Sequence, residues 1–130
     1  MDRRVIFARE SLLAVSKEYV SLGWDVFFPL TEDSPVDLVI LRENTFLRVQ
    51  IKSVRLQKNA MKIKVRSTNN WSNKKYTRKD VDILAVHERK SDTCYVIPIH
   101  EIEGMSQVTL RTTKLKGIEC RQADDYLIQE

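Results

Sequence analysis

Four side chains in this sequence could together hydrolyse a phosphodiester: Glu10, Asp37, Gln50 and Lys52. Asp37 interrupts the apolar run VDLVIL (36–41), where a carboxylate needs a hydrogen-bonding or metal-binding reason to be. Gln50 and Lys52 stand two apart in FLRVQIKSV (46–54). On an extended strand they share a face, about 7 Å apart along the chain. Asp37 suits magnesium, a hard cation that prefers an octahedron of oxygens and keeps several waters, so that one or two carboxylates suffice. Gln50 can add a neutral amide oxygen, the Ile51 carbonyl a further ligand, and Glu10 a second carboxylate, directly or through water. A cation so held lowers the pKa of a bound water and neutralises the phosphate under attack. Lys52 would orient that water or stabilise the developing charge, and no covalent protein intermediate is required.

Three of these residues also have a plainer reading. Glu10 could lie at the edge of a helix stripe and pair with Arg3 or Arg9 in solvent. Gln50 and Lys52 could be the wet face of an amphipathic strand. Asp37, buried in the run expected beside that face, argues against the second alternative.

The elements that must position these groups follow from periodicity. Val5, Ala8, Leu12, Val15, Tyr19 and Leu22 recur at spacings of three and four, which predicts a helix over 3–22 ended by Gly23. A neighbouring stripe of Ile6, Glu10, Leu13, Lys17 and Val20 puts Glu10 on a face expected to be covered. DVFFP (25–29) reads as a short strand and TEDSP (31–35) as a loop. The run 36–41 reads as a strand covered on both faces, and RENT (42–45) as a hairpin connection into 46–54. Positions 37 and 50 are near mirror images about 43–44, so the hairpin brings Asp37 alongside Gln50 and Lys52. Strands are further expected over 61–66, 80–87, 94–99 and 108–112, the middle two central in the sheet. An irregular connection (114–121) and a short terminal helix (123–129) complete the expected order.

Charge is unevenly distributed. Residues 42–90 hold 14 of the 22 Lys/Arg and four of the 18 Asp/Glu, a net of +10 against −6 for the remainder. A basic middle of that size suits a polyanion better than mere solubility requires. In 61–66, Lys62, Lys64 and Arg66 share one face, as phosphate contacts or as the guard of an edge strand. The polar stretch STNNWSNKKYTRK (67–79) is a long loop, whose Asn69, Asn70 and Asn73 suit base edges and whose Lys74, Lys75, Arg78 and Lys79 suit phosphates, with Tyr76 beside them. Trp71 reads as an anchor for the loop.

At 130 residues, 42% hydrophobic and 31% charged, the chain is expected to be one globular domain, 1–130. No apolar run reaches membrane length, and the charged N-terminus lacks a signal-peptide core, so a cytoplasmic protein is expected. Cys94 and Cys120 have no CxxC or Cys/His partner and are expected as buried thiols. His87 and His100 have no partner at triad or ligand spacing and are expected at the surface. Three glycines leave no room for a phosphate-binding glycine loop.

SPVDLVI followed by RVQIKS resembles the PD-(D/E)XK nuclease superfamily. The glutamine before X-K is similar to the variant seen in homing endonucleases of group I introns and their bacterial relatives. STNNWSNKKYTRKDVDILAVHERKSDTCYVIPI resembles the family's polar loop and closing strands, and VTLR…KGIECRQADDYL its C-terminal end, so the likeness runs from about Glu10 to Leu127. It implies an α/β, restriction-endonuclease-like fold, a mixed sheet flanked by helices with one at the N-terminus. It implies an endonuclease cutting double-stranded DNA with Mg2+, Mn2+ substituting, as a homodimer or homotetramer. The family's aspartate falls on Asp37, its glutamine on Gln50, its lysine on Lys52 and its helix glutamate on Glu10. Two departures stand out: FARES lacks the family's glycine, and Val36 separates Pro35 from Asp37. A structure-selective junction resolvase and an inactive DNA-binding module of the same fold are the alternatives.

Overall fold

The first helix, α1 (Arg3–Ser21), begins at Asp2, whose side chain accepts the Arg4 N–H at 2.8 Å and caps one of the free amides of the first turn. In this computed structural model residues 1–31, 33–66, 76–115, 117 and 119–128 are described. The helix ends at Leu22, and Gly23, at φ +87°, turns the chain into β1 (Asp25–Phe27). Only part of the expected stripe is covered. Val15 and Tyr19 are buried, with Ser11 in line one turn earlier, while Val5 and Ala8 are exposed. The second stripe is not covered at all: Ile6, Glu10, Leu13 and Val20 face outward, Leu13 at 69% exposure.

Strand β2 (Leu38–Arg42) and strand β3 (Thr45–Val54) form the expected hairpin. Its two turn residues, Glu43 and Asn44, both have positive φ (50° and 66°), the backbone hand that matches the twist of the flanking strands. A two-residue turn leaves no freedom of register, and Leu38 pairs with Val49. Strand β4 (Ala60–Lys64) follows another turn with positive φ at Lys58 and Asn59. Then come β5 (Ile83–Glu88), β6 (Thr93–Pro98), β7 (Gln107–Arg111) and β8 (Arg121–Gln122). The larger sheet has the order β1-β2-β3-β5-β6 and is mixed, β3 and β5 being its parallel pair. The smaller runs β4-β7-β8.

Helix α1 covers one face of the larger sheet, with Val15 and Tyr19 against Leu38, Ile40, Val49, Ala85 and Cys94. The small sheet covers part of the other face. Met61, Ile63, Val65, Val108 and Leu110 meet Leu84, Val86 and Ile97 there. The mixed sheet and N-terminal helix are as expected; the second layer is a sheet rather than a helix.

Several local expectations are corrected. Strand β2 is not covered on both faces, since Val39 and Leu41, away from the helix, are only half-buried. Strand β6 is an edge strand, not a central one, although Leu127 bridges to Tyr95 beside it. Strand β8 arises where an irregular connection was expected, paired in parallel with β7. The terminal helix is a single 3-10 turn, Ala123–Tyr126. Cys94 and Cys120 are both free thiols, but only Cys94 is buried.

Candidate active site

The site forms where β2 stops and β3 continues. Continuing the Leu38–Val49 register by one residue sets Asp37 opposite Gln50. The Asp37 N–H donates to the Val49 carbonyl at 2.8 Å, and its Oδ2 accepts the Ile51 N–H at 2.7 Å. Asp37 thus closes the hairpin ladder with its side chain. The N–H and C=O of one strand residue point to the same side, so the Ile51 carbonyl faces the same gap as the Asp37 carboxylate. The Gln50 side-chain amide reaches that carbonyl, Nε2 to O at 3.4 Å. Three oxygen-bearing groups therefore stand around one gap: the Asp37 carboxylate, the Ile51 carbonyl and the Gln50 amide.

Burial pushes the Asp37 carboxyl above its ordinary range, and the Ile51 N–H and the Lys52 charge act against that. Lys52 shows the converse. Burial pushes its ammonium below the ordinary lysine range, Asp37 holds it up, and Lys64 pushes it down further. The Lys52 Nζ lies 5.2 Å from the centre of the Tyr76 ring, within range of a cation–π contact. Tyr76, expected among nucleic-acid contacts, is instead buried, and forms part of the lysine's surroundings. Sequence reading missed this pairing because Tyr76 closes a long loop and carries no periodic signal.

Glu10 stands on the outward side of α1. It is exposed, and it is not among the residues that line the cleft at the site. Its neighbour Ser11 turns inward, fully buried, with Oγ 2.7 Å from His87 Nδ1. His87 Nε2 lies 2.7 Å from Asp92 Oδ1. His87 is thus a buried link between helix and sheet, at 3% exposure, and not a surface residue. The signal was available: alternation in ILAVHE puts His87 on the face of Ile83 and Ala85, which the helix covers. His100 is exposed as expected.

A cleft of about 820 Å³ opens between the first half of α1, the residues Phe28, Pro29, Thr31, Ser34 and Val36, and β3, and Asp37, Gln50 and Ile51 form part of its wall. Beyond it, Lys62 and Lys64 are exposed on β4, the edge strand of the small sheet, and Arg66 is half-buried. Arg78 and Lys79 are exposed, with Arg78 paired to Glu103 at 2.6 Å. Asn69, Asn70, Trp71, Asn73, Lys74 and Lys75 lie outside the described residues. Arg48 anchors the chain after them: its guanidinium donates to the carbonyls of Arg78 and Lys79, each at 2.7 Å, and to the Asp82 carboxylate. Asp82 is therefore a structural partner of the basic region.

Three comparisons bear on the chain as a whole. The model of the family described as PD-(D/E)XK endonuclease matches residues 9–127. Protein 5.3 of Escherichia phage T7 is 29% identical over 87 residues, which are 66% of this chain and 74% of the phage protein. The solved structure of a bacterial homing endonuclease, I-Ssp6803I, superposes with a TM-score of 0.75, covering 94% of this chain and 86% of that one. At 20% identity, that likeness is one of fold.

Proposed function

This chain belongs to the PD-(D/E)XK endonuclease family, and from that premise we propose that it cuts double-stranded DNA with a divalent cation, magnesium with manganese able to substitute. The observation that carries the reading is the convergence of Asp37, Gln50 and the Ile51 carbonyl beside the half-buried Lys52.

The donor set fits the cation. All three groups offer oxygen, and one carboxylate with neutral oxygens leaves room for waters and a phosphate, as magnesium prefers. Among the described residues no group of three or more His, Cys, Asp or Glu could hold a metal, so the carboxylate of Asp37 would act with neutral oxygens. Asp37 Oδ2 is engaged with the Ile51 N–H, so Oδ1 is the carboxylate oxygen that would face the cation. Gln50 would have to turn its amide by half a rotation, since its NH2 now faces the Ile51 carbonyl. When bound, the cation would supply a water of lowered pKa and neutralise charge on the scissile phosphate.

The chain's own groups do the rest. Asp37 holds the negative charge that recruits the cation, its geometry set by the Ile51 N–H. Lys52 stabilises charge developing on the phosphoryl oxygens, and its lowered pKa also makes it a ready proton donor to the leaving oxygen. Lys62, Lys64, Arg66, Arg78 and Lys79 would hold phosphates on either side. Likeness to a homing endonuclease supports a defined target sequence, and cutting both strands calls for a homodimer or homotetramer. Among the described residues no helix is long and apolar enough to cross a membrane.

The test is cleavage of a plasmid library with magnesium or manganese by the wild type and by Lys52→Ala, followed by sequencing of the ends. Cleavage by the wild type alone, at recurrent sequences, is expected. No cutting, or cutting that survives Lys52→Ala, would sink the reading. Faster cutting of a four-way junction than of linear duplex would select the junction-resolving alternative.

A further inference from the structure

The cleft beside Asp37 is larger and more apolar than a phosphate and a hydrated cation require. Val5, Ala8 and Leu12 on α1 form one wall and Phe28 and Pro29 the other. Phe28 is 56% exposed and Val5 41%, although apolar side chains of this size ordinarily find cover. Arg4 and Arg9 also line the cleft together with Asp2, so its apolar surface is edged by two guanidinium groups and one carboxylate. Arg4 shares its charge with Asp2 at 3.1 Å, in a pair open to solvent. Volumes of this order accommodate small organic ligands. The cleft is continuous with Asp37, Gln50 and Ile51 through a shared wall.

An aromatic and aliphatic floor, two guanidinium groups at its edge and an adjoining phosphodiester site match the three parts of a nucleotide. We infer that this cleft takes up one nucleotide of the cleaved strand, next to the scissile phosphate, with its base unstacked from the duplex and laid against Phe28 and Val5. The inference rests on the nuclease reading above and deepens it. A base within a stacked duplex cannot reach a floor flanked by a helix and a loop; it has to leave the stack. The energetic burden of leaving is smaller where the base is unpaired or mismatched, so the enzyme should favour substrates disrupted at that one position. Arg4 and Arg9 are then placed to hold the phosphate on the far side of the extruded nucleotide.

The experiment uses a short duplex carrying a cut site mapped from plasmid ends. 2-Aminopurine, which brightens when it leaves the base stack, replaces one base at a time on both sides of the scissile phosphate. Lys52→Ala protein, which keeps the proposed cation ligands, is bound with magnesium. A several-fold rise is expected at one position adjoining the cut and none further away. Adding Ala8→Trp, which fills the cleft from an exposed helix position, should remove that rise. Phe28→Ala, which opens the floor without adding bulk, should weaken it. In parallel, wild-type protein should cut a duplex with that single nucleotide unpaired at least tenfold faster than the matched duplex. Flat fluorescence at every adjoining position in a bound complex, or an equal rise with Ala8→Trp, would overturn the inference and leave the nuclease reading standing. Failure of the wild type to cut any DNA would remove that reading and this inference together.

Discussion

The carboxylate of Asp37 takes the ladder position that β2 leaves empty, accepting the Ile51 N–H at 2.7 Å. One residue therefore both ends a strand and offers a charge to the gap beside it. An asparagine could still accept that N–H through its amide oxygen, so Asp37→Asn should fold. Cleavage should drop by roughly 100-fold or more, on the scale of losing one group that stabilises transition-state charge. Burial raises the folded pKa, so protonated Asp37 contributes its full stability only below the unfolded value, and that contribution is lost as pH rises through the raised one and the buried carboxyl ionises. Asp37→Asn should then melt at or above the wild-type temperature at pH 7, with the gap closing near pH 3.5. A melting point several degrees lower at pH 7 would contradict this account.

Lys52 carries the opposite shift. Its folded pKa lies below the unfolded one, so the unfolded chain holds the proton more tightly, and stability rises with pH between the two values. Lys52→Met should be more stable than the wild type at pH 7, the difference fading toward pH 10.5. Cleavage by the wild type should fall on an alkaline limb set by the lowered lysine pKa. Lys52→Arg, whatever its absolute rate, should lose that limb, because a guanidinium does not deprotonate in the range. Rate–pH profiles of the two proteins decide the point.

Lys64 bears on the same lysine from β4, pushing its pKa down across the space between the sheets. Lys64→Ala should move the alkaline limb of the wild-type profile upward. If Lys62 and Lys64 each touch a phosphate, removing both should also flatten the dependence of log K on log salt by about 0.9 per contact. Titrations of a labelled duplex over a range of salt concentrations would show an unchanged slope if neither lysine meets the DNA.

Glu88, which is not among the residues lining the cleft, sets acid stability. It is 1% exposed, and burial alone would raise its pKa. The backbone N–H groups of Leu56, Lys90 and Ser91 and the Ser91 hydroxyl all donate to it, and together they bring it down to about 2. A depressed carboxylate contributes stability that is present above the unfolded pKa and is lost as pH falls through the folded one. Stability should therefore decline from about pH 4.5 toward pH 2. Glu88→Gln leaves donors without acceptors and should cost about 1–3 kcal/mol at pH 7. Urea unfolding of both proteins at pH 7 and pH 3 should show the gap narrowing at the lower pH.

Arg48 and Asp82 form a pair about one-third exposed, at 3.0 Å. The ion pair itself should contribute no more than about 1 kcal/mol. Its weight lies in tethering residues 78–82, since the Asp82 N–H also bonds the Arg48 carbonyl at 2.9 Å. Arg48→Met should speed amide hydrogen exchange at Val81 and Asp82 far more than it lowers the melting temperature. Unchanged exchange there would show that the backbone bonds hold the segment without the guanidinium.

Most of the candidate site's geometry was legible in the chain because it is local. Asp37, Gln50 and Lys52 lie within 16 residues, alternation put the last two on one face, and a two-residue turn left only one register for the first. Strand periodicity and turn chemistry act over a few residues, so sequence alone determined the hairpin, its face and its charge. Tertiary packing decided the rest. A helix turns about 100° per residue, and which residue faces the sheet depends on what Val15 and Tyr19 bury against. That contact turned Ser11 inward to His87 and left Glu10 in solvent. The approach of Tyr76 to Lys52 joins residues 24 positions apart across a loop. The cleft exists only because a helix from one end of the chain stands over a strand end from its middle. Such contacts between distant segments leave no period in the chain, and only the folded structure brings them together.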